Sequence, residues 1–247
     1  MKEQLNESAR KVRILVDALP YIRDFSDKIV VLEYDCAEWL TGVQEQELMQ
    51  DIILLKSIGM RPVVVHNTRM GMDKFRENKR IANLLEKFGC RAIGICGVDY
   101  RTLKITIEND YIPVIQPNDI DNEMELIDPK GTACEVAQHL KADKLIYLSN
   151  FPGIFTDETR TAVHKRITVQ EARKFQLDRL FPAELDAMIG YCCAAVENGV
   201  HRSHILDARE SHALLIELFS IVGAGTVIIE HADCLYEHER EQMSGIV

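Results

Sequence analysis

The sequence lacks the features that mark several large classes of protein. No apolar run is long enough to span a membrane, and the first residues show no apolar segment of the length that a signal peptide needs. A basic surface is also missing, because the net charge is −10 at pH 7, which argues against nucleic acid or an anionic membrane as a partner. We therefore expect a cytoplasmic globular protein without such partners.

Paired cysteine motifs are absent as well. The 247 residues contain 7 cysteines, an odd number with irregular spacing and no Cys-x-x-Cys. A chain of this length does not need a disulfide framework, so we expect reduced thiols and predict no metal site. A reactive thiol or a soft-metal site near one cleft remains an alternative for Cys36, Cys96, Cys134, Cys192 and Cys193, against the more usual role of cysteine as a small buried hydrophobe.

What the sequence does contain is an alternation of apolar runs and amphipathic segments. Strands are predicted at 29–32, 62–66, 90–95, 103–108 (an edge or antiparallel strand), 112–115, 144–148, 204–206 and 225–229. Helices are predicted at 6–23, 44–58, 78–88, 132–140, 169–175, 183–198 and 211–218, and residues 231–247 are predicted to form a loose tail. This order favours an α/β fold: a three-layer αβα sandwich around a mainly parallel sheet, in one domain over residues 1–247.

The stretch 29–39 holds the first candidate site. Its apolar run predicts a strand buried on both faces, and Glu33, Asp35 and Cys36 lie at the carboxyl end, where α/β folds place their ligands. A phosphate-binding loop would carry glycines and a lysine here instead. Two interpretations stay open for Glu33, Asp35 and Glu38: a new cation site, or a solvated loop that has lost an older function.

Several segments, in order along the chain, carry a family resemblance. They are residues 18–22, 51–59, 62–66, 78–85, 148–154, 204–207 and 212–219. Together they resemble the amino-acid kinase superfamily, and within it the acetylglutamate kinases. The resemblance implies a reduced amino-acid-side lobe at 25–140, a nucleotide-side lobe at 141–230 and an amino-terminal helix at 1–24. It also implies ATP with magnesium and the phosphorylation of N-acetyl-L-glutamate in arginine biosynthesis.

The chain departs from this family where phosphate would bind. The family has Lys-Tyr-Gly-Gly-Asn after its first strand, whereas this chain has Glu33-Tyr34-Asp35-Cys36-Ala37. The family's second loop, His-Gly-Gly-Gly-Pro, corresponds here to His66-Asn67-Thr68-Arg69-Met70. A cation has become an anion, and side chains fill both glycine loops.

Two more positions depart in the same sense. The family's Asn-Ala-Asp corresponds to Asp128-Pro129-Lys130, and its later lysine corresponds to Tyr191. Phosphoryl transfer depends on cations that balance the charge of the transition state, so these changes disfavour ATP and magnesium as cofactors. The segments after His66 and after Gly97 are also shorter than in the family, which removes most of the acetylglutamate pocket.

Other positions agree with the family and are candidate ligand contacts. The turn with Asn150, Phe151 and Gly153 matches the adenine side, where it either holds a nucleoside or simply joins the lobes. Glu217 and Gly223 match a segment that helps to hold arginine in arginine-inhibited members. Such members assemble through an amino-terminal helix, so the resemblance implies a homo-oligomer that binds an amino acid or a nucleoside.

Three functional hypotheses follow. The first is an acetylglutamate kinase-like pseudokinase that acts as a binding or regulatory subunit and senses an amino acid such as arginine. The second is an enzyme with repurposed chemistry that uses Glu33, Cys36, Lys130 or Tyr191. The third is an atypical acetylglutamate kinase. Further candidate ligand contacts are Asp35, His66, Asn67 and Cys96, with His66 more typical of a hydrogen-bonded structural histidine than of a catalyst.

Overall fold

The computed structural model describes residues 9, 12–14, 16–35, 39–69, 71–117, 128–157, 159–178 and 181–243. The strands are β1 Ile29–Tyr34, β2 Arg61–His66, β3 Ala92–Cys96, β4 Ile112–Gln116, β5 Lys144–Ser149, β6 Arg166–Thr168, β7 Arg202–Asp207 and β8 Thr226–Ile229. The helices span Leu19–Phe25, Gly42–Ser57, Lys74–Lys87, Tyr100–Glu108, Pro129–His139, Val169–Leu177, Ala183–Glu197, Ala213–Phe219 and Glu237–Met243.

One eight-stranded sheet organises the molecule, in the order β3-β4-β2-β1-β5-β7-β8-β6. Every neighbouring pair is parallel except β7 and β8, which are antiparallel. The mainly parallel sheet predicted from the sequence is confirmed. Because parallel strands share one direction, the carboxyl ends of β1, β2 and β5 meet at the same edge.

Helices cover both faces of the sheet, which gives the three layers. Successive residues of β1 point to opposite faces, so Leu32 belongs to one buried cluster and Val31 to the other. The helix Gly42–Ser57 packs on the first face, and the helices Pro129–His139 and Ala183–Glu197 pack on the second. The central strands read as continuous apolar runs because both of their faces are buried.

The predicted strand at 103–108 is wrong, since this segment is part of the helix Tyr100–Glu108. The sequence alternates Leu103, Ile105 and Ile107, but only Leu103 and Ile107, four residues apart, are buried, while Ile105 is 51% exposed. Asp99 caps the helix by accepting a hydrogen bond from the Arg101 N–H at 3.1 Å. A helix is needed here because β3 and β4 are parallel and require a crossover connection.

The loose tail predicted at 231–247 is also wrong in part. Residues Glu237–Met243 form a helix that packs against the helix Leu19–Phe25. His238 joins the two, because its ring Nδ1 lies 2.6 Å from Asp24 Oδ2 and its backbone N–H donates to the same oxygen at 3.0 Å. The short strand Arg166–Thr168, which pairs with β8, was not predicted.

The amino-terminal helix exposes part of its apolar face. Residues 9, 12–14 and 16–17 are helical ahead of Leu19–Phe25, and residues 6–8, 10, 11 and 15 of the predicted helix 6–23 lie outside the described residues. Val12 is 59% exposed and Val16 55%, whereas Tyr21 and Phe25 are buried. A homo-oligomer formed through this helix stays a prediction. No described helix has the length and hydropathy required to cross a membrane.

Candidate functional site

Glu33 lies at the carboxyl end of β1, on the strand face that it shares with Val31. Its side chain is fully buried, and neither carboxylate oxygen has a hydrogen-bond partner among the described residues. Burial raises the pKa of Glu33 to about 8, against the opposing charge of Lys130. Glu33 is therefore a protonated carboxylic acid near neutral pH.

Lys130, in the helix Pro129–His139, is the cation that acts on Glu33. Its Nζ lies 3.8 Å from Asp35 Oδ2 and 3.5 Å from Glu184 Oε1. Burial opposes the charge of Lys130, yet Glu33, Asp35 and Glu184 together raise its pKa. Among the described residues, no group of three or more His, Cys, Asp or Glu side chains is arranged to hold a metal ion.

Asp128 fixes the start of the helix that carries Lys130. Its carboxylate accepts hydrogen bonds from the backbone N–H groups of Lys130 at 3.0 Å and Gly131 at 3.2 Å, as an N-cap does. The Tyr191 hydroxyl donates to Asp128 Oδ2 at 2.6 Å, and this hydrogen bond is the leading cause that raises the pKa of Tyr191 to about 12. The cluster of Glu33, Asp35, Asp128, Lys130, Glu184 and Tyr191 thus contains four carboxyl groups and one cation.

The loop after β2 is held by its own side chains. His66 is buried; its Nδ1 lies 2.7 Å from the Asn67 carbonyl oxygen and its Nε2 lies 3.0 Å from Asn78 Nδ2. Asn78 also donates to the Val114 carbonyl at 2.9 Å. Gly94 makes room for this amide, since a Cβ at position 94 would lie 1.9 Å from Asn78 Oδ1.

A partly buried ionic network lies beside that loop. Arg80 donates two hydrogen bonds to Glu45, at 2.8 and 2.7 Å, and two to Glu77, at 2.9 and 2.7 Å. Arg69 Nη2 donates to Glu45 Oε1 at 2.8 Å, and so does the Tyr34 hydroxyl at 2.6 Å. Arg69, in the loop after β2, is therefore engaged with carboxylates of the chain itself.

The turn after β5 carries Asn150, Phe151 and Gly153. Gly153 has φ +133°, and a Cβ there would lie 2.4 Å from Thr226 Oγ1. Thr226 Oγ1 also accepts a hydrogen bond from the Ile154 N–H at 2.8 Å, which attaches the turn to β8. The Asn150 carbonyl accepts from Arg209 Nη2 at 2.8 Å. These contacts give the turn a structural role; whether it also holds a nucleoside stays a prediction.

A second candidate site lies at the opposite edge of the sheet, where β5 and β7 begin. It is a cavity of about 410 Å³. The lining residues are Tyr21, Phe25, Lys144, Lys165, Arg166, Arg202, His204, Glu217, Leu218, Ser220, Ile221, Val222, Gly223, Val227, Leu235, Tyr236, His238 and Glu239. Two candidate residues from the sequence, Glu217 and Gly223, line this cavity. They lie at the opposite edge of the sheet from the cluster around Glu33 and Lys130.

Glu217 is held rigidly in this cavity. Its Oε1 lies 2.8 Å from His204 Nδ1, and its Oε2 accepts hydrogen bonds from the N–H groups of Ala224 at 2.7 Å and Gly225 at 2.9 Å. Burial opposes the charge, but these hydrogen bonds outweigh it and lower the pKa of Glu217 to about 2. Burial also lowers the pKa of His204, whose buried Nε2 has no partner in the described part of the chain.

Lys144 is a fully buried cation that lines the cavity. Its Nζ lies 3.3 Å from Asp143 Oδ2, contacts the Tyr236 hydroxyl and stands 4.1 Å from the centre of the Tyr236 ring. The Tyr236 hydroxyl donates to Asp143 Oδ2 at 2.6 Å. Complete burial lowers the pKa of Lys144 to about 8. The carboxyl-terminal segment thus closes one wall of the cavity over a buried lysine.

Among the described residues, the cysteines of the alternative thiol site do not gather at the cleft. Cys36 lies outside the described residues, and Cys96 is exposed on the edge strand β3, three strands from β1. Cys134, Cys192 and Cys193 are buried in the core, and burial raises the pKa of each thiol. Their surroundings are those of inert core thiols.

Sequence reasoning missed the other residues of the cavity. Lys144, Arg202, Tyr236 and Glu239 were not singled out. One signal was available, because Lys144 and Arg202 are charged residues that open strands buried along their whole length. Buried charges are rare unless they are paired, so a charged residue in such a strand predicts a nearby group of opposite charge.

The fold and these sites define a three-layer α/β protein with charged clusters at both edges of its sheet. The chain belongs to the amino acid kinase family, whose model matches residues 75–207. It is similar to acetylglutamate kinase from Thermoanaerobacter pseudethanolicus, with 30% identity over 92% of this chain and 96% of the relative.

Two solved structures of N-acetylglutamate synthase from Neisseria gonorrhoeae share the fold. The complex with coenzyme A and N-acetyl-glutamate has a TM-score of 0.78 and 22% identity, over 90% of this chain and 64% of that one. The complex with coenzyme A and L-arginine has a TM-score of 0.73 and 23% identity, over 90% and 66%. This chain therefore spans slightly less than two thirds of the synthase.

Proposed function

We propose that this chain is a binding or regulatory member of the acetylglutamate kinase-like group, that it does not transfer phosphate, and that it senses arginine. The observation that carries the proposal is Glu33, a buried carboxyl at the position where the resemblance implies a lysine. A transferring phosphoryl group needs cations around it. Here Lys130 is the one cation of a cluster whose other charged groups are carboxyls, so the field opposes a nucleotide triphosphate.

The cavity supports arginine as the ligand. A guanidinium has five N–H donors and no acceptor, and the cavity offers it the Glu217 carboxylate and the acceptor of neutral His204. Gly223 allows the loop to close on Glu217, because a Cβ at 223 would lie 2.7 Å from Glu217 Oε2. The Neisseria synthase of the same fold was solved in complex with L-arginine, which makes arginine the first ligand to test.

The test combines binding with turnover. Purified protein is titrated with L-arginine and with ATP plus magnesium by calorimetry, and is assayed for phosphorylation of N-acetyl-L-glutamate. We expect arginine to bind, ATP not to bind and no phosphate to be transferred. Glu217→Gln should weaken arginine binding at least tenfold, about 1.4 kcal/mol, whereas the exposed Glu210→Gln should leave it unchanged. Phosphorylation of N-acetyl-L-glutamate would overturn the proposal in favour of an atypical acetylglutamate kinase.

One observation favours a second candidate, an enzyme with repurposed chemistry. A carboxyl group with a pKa of about 8 exchanges its proton near neutral pH, as a general acid or base must. Lys130 and Tyr191 lie in the same cluster as Glu33. A screen of acylated amino acids for any conversion decides this candidate, provided that Glu33→Gln abolishes the conversion found. A conversion that survives Glu33→Gln would exclude this mechanism.

A further inference from the structure

Glu239 binds two arginines at one end of the cavity. Arg202 donates to it through Nη1 at 3.0 Å and through Nη2 at 2.5 Å, and Arg166 Nη2 pairs with Glu239 Oε1. Such bidentate pairs between an arginine and a carboxylate are strong and require a defined geometry. Glu239 thus binds Arg202 in the geometry that the carboxylate of a ligand would adopt.

The charges of the lining show what Glu239 neutralises. Four cationic side chains line the cavity, namely Lys144, Lys165, Arg166 and Arg202, against two carboxylates, Glu217 and Glu239. Glu217 accepts hydrogen bonds from His204 and from backbone N–H groups, whereas Glu239 is the carboxylate that pairs with Arg166 and Arg202. Removing Glu239 would leave this end of the cavity without an anion.

Arg202 keeps an unused donor. Its Nε is buried and has no hydrogen-bond partner in the part of the chain that the structure describes. The guanidinium carbon Cζ stands 4.0 Å from the centre of the Tyr236 ring, and Nη2 also donates to the Cys234 carbonyl at 2.7 Å. A carboxylate that reaches the Nε edge would satisfy the remaining donor, which Glu239 does not do.

Glu239 and Glu217 differ in how they are anchored. Glu217 is fixed by the loop that follows its own helix, whereas Glu239 belongs to the seven-residue helix Glu237–Met243. A helix this short has little stability of its own and depends on its contacts. Those contacts include the Tyr236 backbone N–H, which donates to Glu239 Oε2 at 2.8 Å, and the pair of His238 with Asp24.

We propose that Arg166 and Arg202 form a carboxylate-binding subsite of the cavity, and that Glu239 occupies this subsite until the carboxylate of a bound ligand displaces it. The inference deepens the proposed function, on which it rests, because it assigns the carboxylate end of an amino-acid ligand to these two arginines. Binding then releases Glu239 from its partners and loosens the attachment of the Glu237–Met243 helix to the helix Leu19–Phe25.

The test removes the internal competitor. Calorimetry compares the wild type, Glu239→Gln and the matched control Glu237→Gln, an exposed carboxylate of the same helix. Each protein is titrated with L-arginine and with agmatine, which has the guanidinium but no carboxylate. We expect Glu239→Gln to bind arginine about tenfold more tightly, a change of about 1.4 kcal/mol, and agmatine with unchanged affinity. Circular dichroism confirms that each variant is folded.

The possible failures are distinguishable. Equal affinity of the wild type and Glu239→Gln for arginine would overturn the subsite and leave the proposed function standing. If arginine binds neither protein, the proposed function fails, and the subsite is then decided by titration with acetate while the Arg202 Nε–H resonance is followed by NMR. A shift of that resonance in Glu239→Gln but not in Glu237→Gln supports the subsite. No shift in either variant refutes it.

Discussion

Glu33 and Tyr147 lie side by side in register on the neighbouring parallel strands β1 and β5. The Tyr147 hydroxyl donates a hydrogen bond of 2.9 Å to the Lys130 carbonyl, which attaches the start of the helix Pro129–His139 to this part of the sheet. Lys130 is thereby fixed beside the buried carboxyl. The cation that acts on the buried carboxyl of β1 therefore belongs to a helix and not to a strand.

The buried carboxyl makes stability depend on pH. The pKa of Glu33 rises from an ordinary 4.5 to about 8 in the folded chain, so between these values the folded protein keeps a proton that the unfolded chain releases. Stability then falls as pH rises, by about 1.4 kcal/mol per pH unit. We expect Glu33→Gln to remove this dependence and to unfold at higher urea concentration at about pH 8.

Urea unfolding at about pH 5 and about pH 8 measures the difference between wild type and variant. The matched control is Glu184→Gln, at a half-exposed carboxyl of the same cluster, which should keep the wild-type pH dependence. Parallel curves for the wild type and Glu33→Gln would show that Glu33 does not titrate in this range.

Glu217 should act in the opposite direction at acid pH. Its folded pKa of about 2 is below the ordinary 4.5, because the hydrogen bonds from His204, Gly225 and Ala224 outweigh the effect of burial. Its contribution is therefore complete above pH 4.5 and is lost as pH falls toward 2. We expect the wild type to lose about 1.4 kcal/mol per pH unit in this range and Glu217→Gln to lose less.

Chemical denaturation at about pH 5 and about pH 3 measures this loss. Glu217→Gln should also be less stable at neutral pH, by about 2 kcal/mol, because a buried charge-assisted network is weakened. Glu210→Gln, at an exposed carboxyl near the same helix, is the control that should behave as the wild type does. Equal acid sensitivity of all three proteins would refute the role assigned to Glu217.

The turn at Gly153 allows a comparison of two glycines. Gly153→Ala places a Cβ 2.4 Å from Thr226 Oγ1 at φ +133°, whereas Gly199→Ala, at φ +97°, meets no atom within 4 Å. Backbone strain alone costs roughly 1–2 kcal/mol, so Gly199→Ala should lose about that amount. Gly153→Ala should lose more because Thr226 must move. Similar melting temperatures for the two variants would show that the turn is not fixed by β8.

The fold was largely predictable because a parallel strand that is buried on both faces has a continuous apolar sequence, as residues 145–148 do. Ile105 misled the prediction, since an exposed apolar residue between two buried ones imitates the alternation of a strand. The grouping of Glu33, Asp35 and Lys130 was also predictable, because strand ends and helix starts meet at one edge. Tyr236 could not be connected to Lys144, because residues so distant in sequence meet only through tertiary packing.

The variant Arg80→Met measures how strongly Glu45 and Glu77 hold the arginines beside the loop after β2. Arg80→Met would leave Glu45 and Glu77 buried without their main cation, so we expect a loss of about 3–5 kcal/mol in the free energy of unfolding. Lys79→Met, at the exposed neighbouring position, should change it little. Urea unfolding measures both. A small loss of unfolding free energy in Arg80→Met would mean that the carboxylates hold Arg69 and Arg80 only weakly. These two arginines would then be available to bind a phosphate group. That result would favour the atypical acetylglutamate kinase.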